Sequence, residues 1–293
     1  MAEVATSTTS EQLLVVVDPV ARRSDGESVR IAKDVLGAGA AMKLCLPDGP
    51  EEFARALRRR GSRRPVVVGD DRALIRAVSL LHRHRELAGC ALSVVPVGGA
   101  LSLAESLGVP TGTVAAARAV LDGVERRMDL MVDDSDGVVL GALRIPPLSP
   151  SPGGAEQESA PASQGAAGRP WLRTCQSLVR GLVPVALPSR LAAAPEPGPS
   201  RLRVEVDGRT LVDLDQPVEA VSVSPAASGI ASVEVRPVSV GAEASPLLAR
   251  GRTVTVSGAH FRYRADAVVS GPVRTRTWVV HEDAWGLTLP AGL

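Results

Sequence analysis

The sequence predicts an α/β chain in two parts: an N-terminal α/β domain over residues 11–133 and an antiparallel β domain over 134–293, after a disordered start at 1–10. Three observations predict this. Val- and Leu-rich runs alternate with amphipathic helical segments from Leu13 to Val124, and beyond Arg201 the pattern turns to period two with turn signals between segments. Two of the Val-rich runs, at Pro65 to Val78 and Ala91 to Pro110, pass through Gly-containing turns into helices.

LLVVVDP, Leu13 to Pro19, is a continuous apolar run, as expected of a strand buried on both faces of a parallel sheet. In SDGESVRIAKDVLGAG, Val29, Ile31, Ala32, Val35 and Leu36 fall at helical spacing before a Gly stop. AMKLCLP follows as a strand, PEEFARALRRRG as a helix with Pro and Glu at its start, and PVVVG as a strand. ALIRAVSLLHRHREL is a helix, CALSVVPVG a strand and TVAAARAVLDGV, Thr113 to Val124, a closing helix. Strands alternating with helices at this spacing imply right-handed crossovers and a mostly parallel sheet.

After RRMDLMVDDSDGVVLGALRIPP, residues 148–170 are poor in large apolar side chains and rich in Pro, Gly, Ser and Ala, which predicts a disordered loop. Trp171 to Ala194 reads as a helix broken near Pro184, and a Pro-rich linker follows. RLRVEVDGRTLVDLD predicts a hairpin across Asp207-Gly208. VEAVSVSP, ASVEVRPVSV, RTVTVSG, FRYRADAVV and RTRTWVVHE continue the alternation, the pattern of a β-sandwich.

Composition narrows the function classes. Aromatic residues make up 2% of the chain, so its core is built from Val, Leu and Ala. A net charge of +1 argues against a nucleic-acid partner held by bulk charge. The basic run Arg55 to Arg64 reads either as a solvated helix end or as a phosphate or anionic-lipid patch. Cys45, Cys90 and Cys175 show no CxxC spacing, which suits a reducing compartment. With no secretion signal and no run of about 18 apolar residues, the expectation is a cytoplasmic protein with at most peripheral contact with a bilayer.

The two strand-to-turn junctions aim main-chain N–H groups in the way that cradles a phosphate. Their residues Gly69, Asp70, Asp71, Arg72, Ala73, Gly98 and Gly99 are therefore candidates for nucleotide contacts, with turns closing buried strands as the alternative. His82 and His84 point to different faces of a helix and cannot share a metal, while His260 and His281 have no Cys or His partner nearby in sequence. Trp171, Trp278 and Trp285 read as core, with the edge of a bilayer as an alternative for Trp285. Ser93 and Ser102 lack a G-x-S-x-G context, which leaves hydrolase chemistry unsupported.

In the order of these elements, from about Leu13 to Leu289, the chain resembles the diacylglycerol kinase catalytic-domain family, which includes bacterial lipid kinases and sphingosine kinases. VDP at Val17 to Pro19 sits where the family has Asn-Pro, and GDDRA at Gly69 to Ala73 where it has GGDGT. PVGGALSLAESLGVP matches its Pro-x-Gly-Thr-Gly-Asn segment and following helix, and DGVERRMDL its exit from the nucleotide domain. VTVSGAHFRYRADAVVSG is similar to its late hairpin with Asp-Gly-Glu. The resemblance implies a Rossmann-like nucleotide domain, a β-sandwich domain that helps form a lipid site, and ATP and Mg2+ bound between them. It also implies transfer of the γ-phosphate to the hydroxyl of a lipid such as diacylglycerol. Peripheral contact with the inner membrane surface and a homodimer are compatible with it.

The chain departs from the family at its motifs. Asp70 and Arg72 stand at glycine positions and Ala73 replaces Thr; Gly99, Ala100 and Leu101 stand for Thr, Gly and Asn; Ala267 and Val268 replace Gly and Glu. Added Cβ atoms and a carboxylate beside a polyphosphate weaken ATP binding. Asp266 is retained and is the candidate catalytic base, with a solvated hairpin carboxylate as the alternative. Two main functional readings follow: an ATP-dependent lipid kinase of weak activity, and a catalytically inactive kinase-fold protein that binds lipid or nucleotide. An unrelated α/β domain joined to a β-sandwich is the third.

Overall fold

Alternate residues of the first strand face opposite ways, and both sides are covered by helices. In the computed structural model, which describes residues 12–147, 199–238 and 245–292, the strands β1 (Leu13–Val17), β2 (Met42–Cys45), β3 (Arg64–Gly69) and β4 (Ala91–Pro96) pair in parallel in the order β4-β3-β1-β2. They alternate with α1 (Pro19–Ser24), α2 (Gly26–Gly39), α3 (Pro50–Arg58), α4 (Asp71–Arg83), α5 (Ser102–Ser106) and α6 (Thr113–Asp122). Leu13, Val15 and Val17 pack with Val29, Ala32 and Leu36 of α2 and Ala116 and Val120 of α6. Leu14 and Val16 pack on the other face with Phe53 and Leu57 of α3 and Leu74, Val78 and Leu81 of α4. Double coverage is why β1 reads as an unbroken apolar run.

The sequence reading treats Asp18-Pro19 as the end of a strand. The structure begins α1 there, with Pro19 at the start of the helix and Asp18 as its N-cap, Oδ1 accepting the Val20 N–H at 2.8 Å.

The remaining strands are β5 (Val124–Asp133), β6 (Val138–Val139), β7 (Leu143–Ile145), β8 (Ser200–Val206), β9 (Arg209–Val212), β10 (Pro217–Ala226), β11 (Ile230–Pro237), β12 (Leu247–Gly251), β13 (Thr253–Ala265) and β14 (Val268–Leu289). Except for one parallel contact of β14, they pair antiparallel. The β8–β9 turn carries Asp207 at φ 49° and Gly208 at φ 76°, the left-handed pair that a tight hairpin requires. RTVTVSG and FRYRA form one strand, β13, whose register against β14 shifts between Ser257 and Phe261 and again before Tyr263. Inward valines of β8, β10, β11 and β13 surround Phe261, Tyr263 and Trp278, and Tyr263 meets the Trp278 ring edge-on at 5.2 Å.

β14 carries the chain back. Its end pairs in parallel with β4, Gly286 opposite Ala91 and Leu287 opposite Leu92, and antiparallel with β5 along the other edge. The parallel row is thus completed by the last strand, in the order β14-β4-β3-β1-β2. Trp285, Leu287 and Leu289 join the core beneath α3 and α4. Trp285 is fully buried and its Nε1 donates to the Asp129 carbonyl at 3.2 Å, so it is a core residue and does not edge a bilayer. Trp278 is equally buried, whereas Trp171 lies outside the described residues. So do the predicted disordered start at 1–10, the loop at 148–170, the broken helix up to Ala194 and most of the Pro-rich linker.

Candidate functional site

β1, β3 and β4 lie side by side, and their carboxyl ends form the edge at which open α/β sheets take ligands. At the ends of β1 and β3 aspartates are held by the chain itself. Asp18 is 2% exposed and accepts both the Val20 N–H and the guanidinium of Arg76, the latter at 2.6 Å, while Arg76 also lies over the Phe53 ring. Asp70 caps α4, accepting the Ala73 N–H at 3.0 Å. Asp71 is 4% exposed and reaches across to the next junction, where its carboxylate accepts the N–H groups of Leu103 at 2.9 Å and Ala104 at 3.0 Å. Its own N–H donates to the Ala100 carbonyl at 2.9 Å. These bonds join the two glycine junctions of the sequence into one unit.

The glycines serve close packing at this unit. A Cβ on Gly69 would stand 2.7 Å from the Ala73 Cβ and 2.9 Å from the Asp18 Cβ, so the Ala73 methyl covers Gly69. Gly98 has φ +128°, a conformation open to glycine alone among common residues. Gly99 is exposed, with open space where a Cβ would be.

Asp266 occupies the turn between β13 and β14 at φ 48°. Its Oδ2 accepts the Leu140 N–H at 2.8 Å, and its Oδ1 accepts those of Gly141 and Ala142 at 2.8 and 2.9 Å. Burial pushes its carboxyl up from the ordinary value; the three N–H groups pull it down, the charge of Asp71 pushes it up again, and the net direction is upward. The nest is closed by Gly141, where a Cβ would stand 2.8 Å from Leu103 Cδ1 and 3.1 Å from Asp266 Oδ1.

Asp71 and Asp266 therefore face one cleft, of about 510 Å³, together with Arg72, Gly141, Arg144 and Arg264. Gly69, Asp70, Ala73, Gly98 and Gly99 do not line it and stand behind it as its frame. A second hollow of about 470 Å³ shares Ser106 and Gly141 with the cleft and is walled by Leu107, Met128, Leu140 and the end of β10, with Arg127, Asp129 and Asp283 also at its wall. A separate hollow of about 300 Å³ at Lys43, Cys45, Arg55 and Arg59 contains none of the junction residues. Gly141, Arg144 and Arg264 escape sequence reasoning, because an isolated Arg in an alternating strand gives no motif and its neighbours are set by strand register.

Several other singled-out residues have structural roles, whereas Ser102 lines the cleft. Ser93 is buried with its Oγ 2.8 Å from Thr288 Oγ1, as its donor. In the basic run, Arg60 pairs with Glu86 at 3.0 Å and Arg64 donates to the Val120 carbonyl at 2.7 Å. His82 is half-buried, and burial pulls its imidazole below the usual value. Burial pushes the Cys90 thiol up, which makes it a poor nucleophile.

The donor set does not fit Mg2+. That ion takes carboxylate oxygens and phosphate in octahedral array, yet each oxygen of Asp71 and of Asp266 already accepts a main-chain N–H, and three arginines line the same cleft. Among the described residues no three His, Cys, Asp or Glu side chains are placed to share a metal. A polyphosphate seated at the start of α4 would meet the Asp70 carboxylate already there.

No protein-family model matches the sequence, and no curated protein matches it. Solved structures do. A Bacillus anthracis strain Sterne protein named provisionally as a diacylglycerol kinase superposes with a TM-score of 0.70 at 12% identity, over 98% of this chain and 100% of that one. A second structure so named, from the same strain, gives 0.67 at 12% identity, over 96% of this chain and 98% of the other. A third, named a diacylglycerol kinase of that strain, gives 0.65 at 12% identity over 97% and 98%. The likeness spans nearly the whole of both chains, and at this identity it is a likeness of architecture: the chain has a diacylglycerol kinase-like fold.

Proposed function

We propose that the chain is a lipid-kinase-like protein whose cleft at Asp71 and Asp266 binds a lipid or nucleotide without transferring phosphate. One observation carries this reading: the carboxylates of Asp18, Asp70 and Asp71 occupy the main-chain N–H groups at the strand-to-helix junctions, where a triphosphate would otherwise be held. Phosphoryl transfer depends on positioning and charge stabilisation, so a junction filled by the chain's own anions removes its main contributor. In this reading residues 11–133, completed by the end of β14, are the Rossmann-like half, and the rest of 134–293 is a β-sandwich lid. The adjoining hollow, where Leu107, Met128 and Leu140 stand among Arg127, Asp129 and Asp283, gives a ligand a mixed apolar and polar wall beside the cleft. A lipid ligand places the protein on a cytoplasmic membrane face as a peripheral protein; no described helix is long and apolar enough to cross.

Calorimetric titration with ATP and with short-chain diacylglycerol, alongside incubation with labelled ATP, Mg2+ and mixed diacylglycerols, tests it. Binding without labelled lipid is expected, and turnover overturns it. A second reading, ATP-dependent phosphorylation of a lipid hydroxyl with Asp266 taking its proton, is favoured by the convergence of Asp71 and Asp266 on one cleft and by the upward-shifted Asp266 carboxyl. The same incubation decides between them: product abolished by Asp266→Asn supports the second.

A further inference from the structure

Arg144 on β7 and Arg264 on β13 are direct partners across an antiparallel strand pair, and both line the cleft. Like charges directly opposite each other destabilise a sheet. Neither guanidinium has a hydrogen-bond or ion-pair partner among the described residues, and the Arg264 Nε is buried with none. Arg72, exposed and equally unpaired, lines the same cleft from the start of α4. The carboxylates of Asp71 and Asp266 make no ion pair with this group, since both turn to main-chain N–H groups, and three cations line the cleft against these two anions.

From this arrangement we infer that Arg144 and Arg264, with Arg72 facing them, form a binding site for a phosphoryl group of the ligand. A guanidinium fork matches phosphate oxygens two at a time, and a bridging dianion turns the cross-strand repulsion into attraction. The phosphate belongs either to a phospholipid headgroup or to a soluble phosphorylated compound. The inference rests on the cleft being the ligand site and adds the group that anchors the ligand there.

Thermal unfolding at constant ionic strength, with inorganic phosphate replacing chloride, is the test. The parent should unfold at higher temperature in phosphate. Arg264→Gln should weaken the response about tenfold or more. Arg144→Glu should abolish it, and by pairing with Arg264 should raise the unfolding temperature without phosphate, a gain that a misfolded variant cannot show. Co-sedimentation with vesicles of phosphatidylcholine, with and without phosphatidate, separates the sources. Pelleting that requires both phosphatidate and Arg264 assigns the headgroup, and a phosphate response without pelleting assigns a soluble ligand; either upholds the site. Absence of a phosphate response in the parent, or an equal response in both variants, overturns it. Because the probe is inorganic phosphate, this result is independent of whether ATP or diacylglycerol is bound or turned over.

Discussion

Asp71 and Asp266 each work by accepting N–H groups from another segment, the start of α5 for Asp71 and the loop at Leu140 to Ala142 for Asp266, so their removal strands donors. Asp71→Ala leaves the Leu103 and Ala104 N–H groups without a partner and should cost about 2–4 kcal/mol in urea unfolding. Gly69→Ala should cost about 1–3 kcal/mol from overpacking, and Ala73→Gly in the same chain should restore part of it, because the clashing atom is the Ala73 methyl at 2.7 Å. Strictly additive losses would show that the two positions do not share that space. Asp133 supplies a pH signature. Burial pushes its carboxyl up, but hydrogen bonds from Ser135, Gly137 and the Tyr263 hydroxyl outweigh this and hold it below the ordinary value. Such a group adds stability that is complete above the unfolded carboxylate value of about 4 and disappears as pH falls through the lowered folded value. Denaturation between neutral and acid pH should therefore show a shallower acid loss for Asp133→Asn than for the parent.

Among the elements, α4 begins on its own carboxylate. Asp70→Ala removes that cap at a cost of about 1 kcal/mol, whereas Asp70→Gly costs a few tenths and frees the Ala73 N–H. If the capped junction is what excludes a triphosphate, Asp70→Gly should bind ATP more tightly than the parent in calorimetry, and unchanged affinity would count against self-capping as the obstacle. α5 has only five residues and no side-chain cap of its own, and Asp71 from the preceding junction takes that place. The hairpin of β13 and β14 has two duties: its turn plugs Asp266 into the loop at Leu140 to Ala142, while the far end of β14 pairs with β4.

For the whole molecule, that long last strand couples the chain's end to its beginning. Trp285, Leu287 and Leu289 are buried in the core that α3 and α4 cover, so the parallel sheet cannot complete its hydrophobic face from the N-terminal half alone. A chain stopped after Glu282 loses all three and should fail to give a cooperative thermal transition. A cooperative transition near that of the parent would mean that β14 is dispensable to the sheet. Such a stop also strips the antiparallel pairing of Val124 to Met128 of β5 with Trp285 to Leu289, while the pairing of β13 with β14 is kept.

Local rules account for what the sequence determined by itself. Unbroken Val runs such as Val66 to Val68, helical spacing in α2 and α4, and the Asp207-Gly208 turn are properties of neighbours a few residues apart, so the alternating and period-two halves were legible, as was the likeness in element order to lipid kinases. Asp71, Arg72 and Asp266 could be singled out, but not their employment: which N–H groups a carboxylate accepts depends on residues 32 to 126 positions away. The opposition of Arg144 to Arg264 likewise exists only through strand register, and the entry of β14 beside β4 only through the closing of a sheet by its last strand. Tertiary structure decided these because hydrogen bonds and unpaired charges act between groups brought close in space, and such proximity is invisible to any window sliding along the chain.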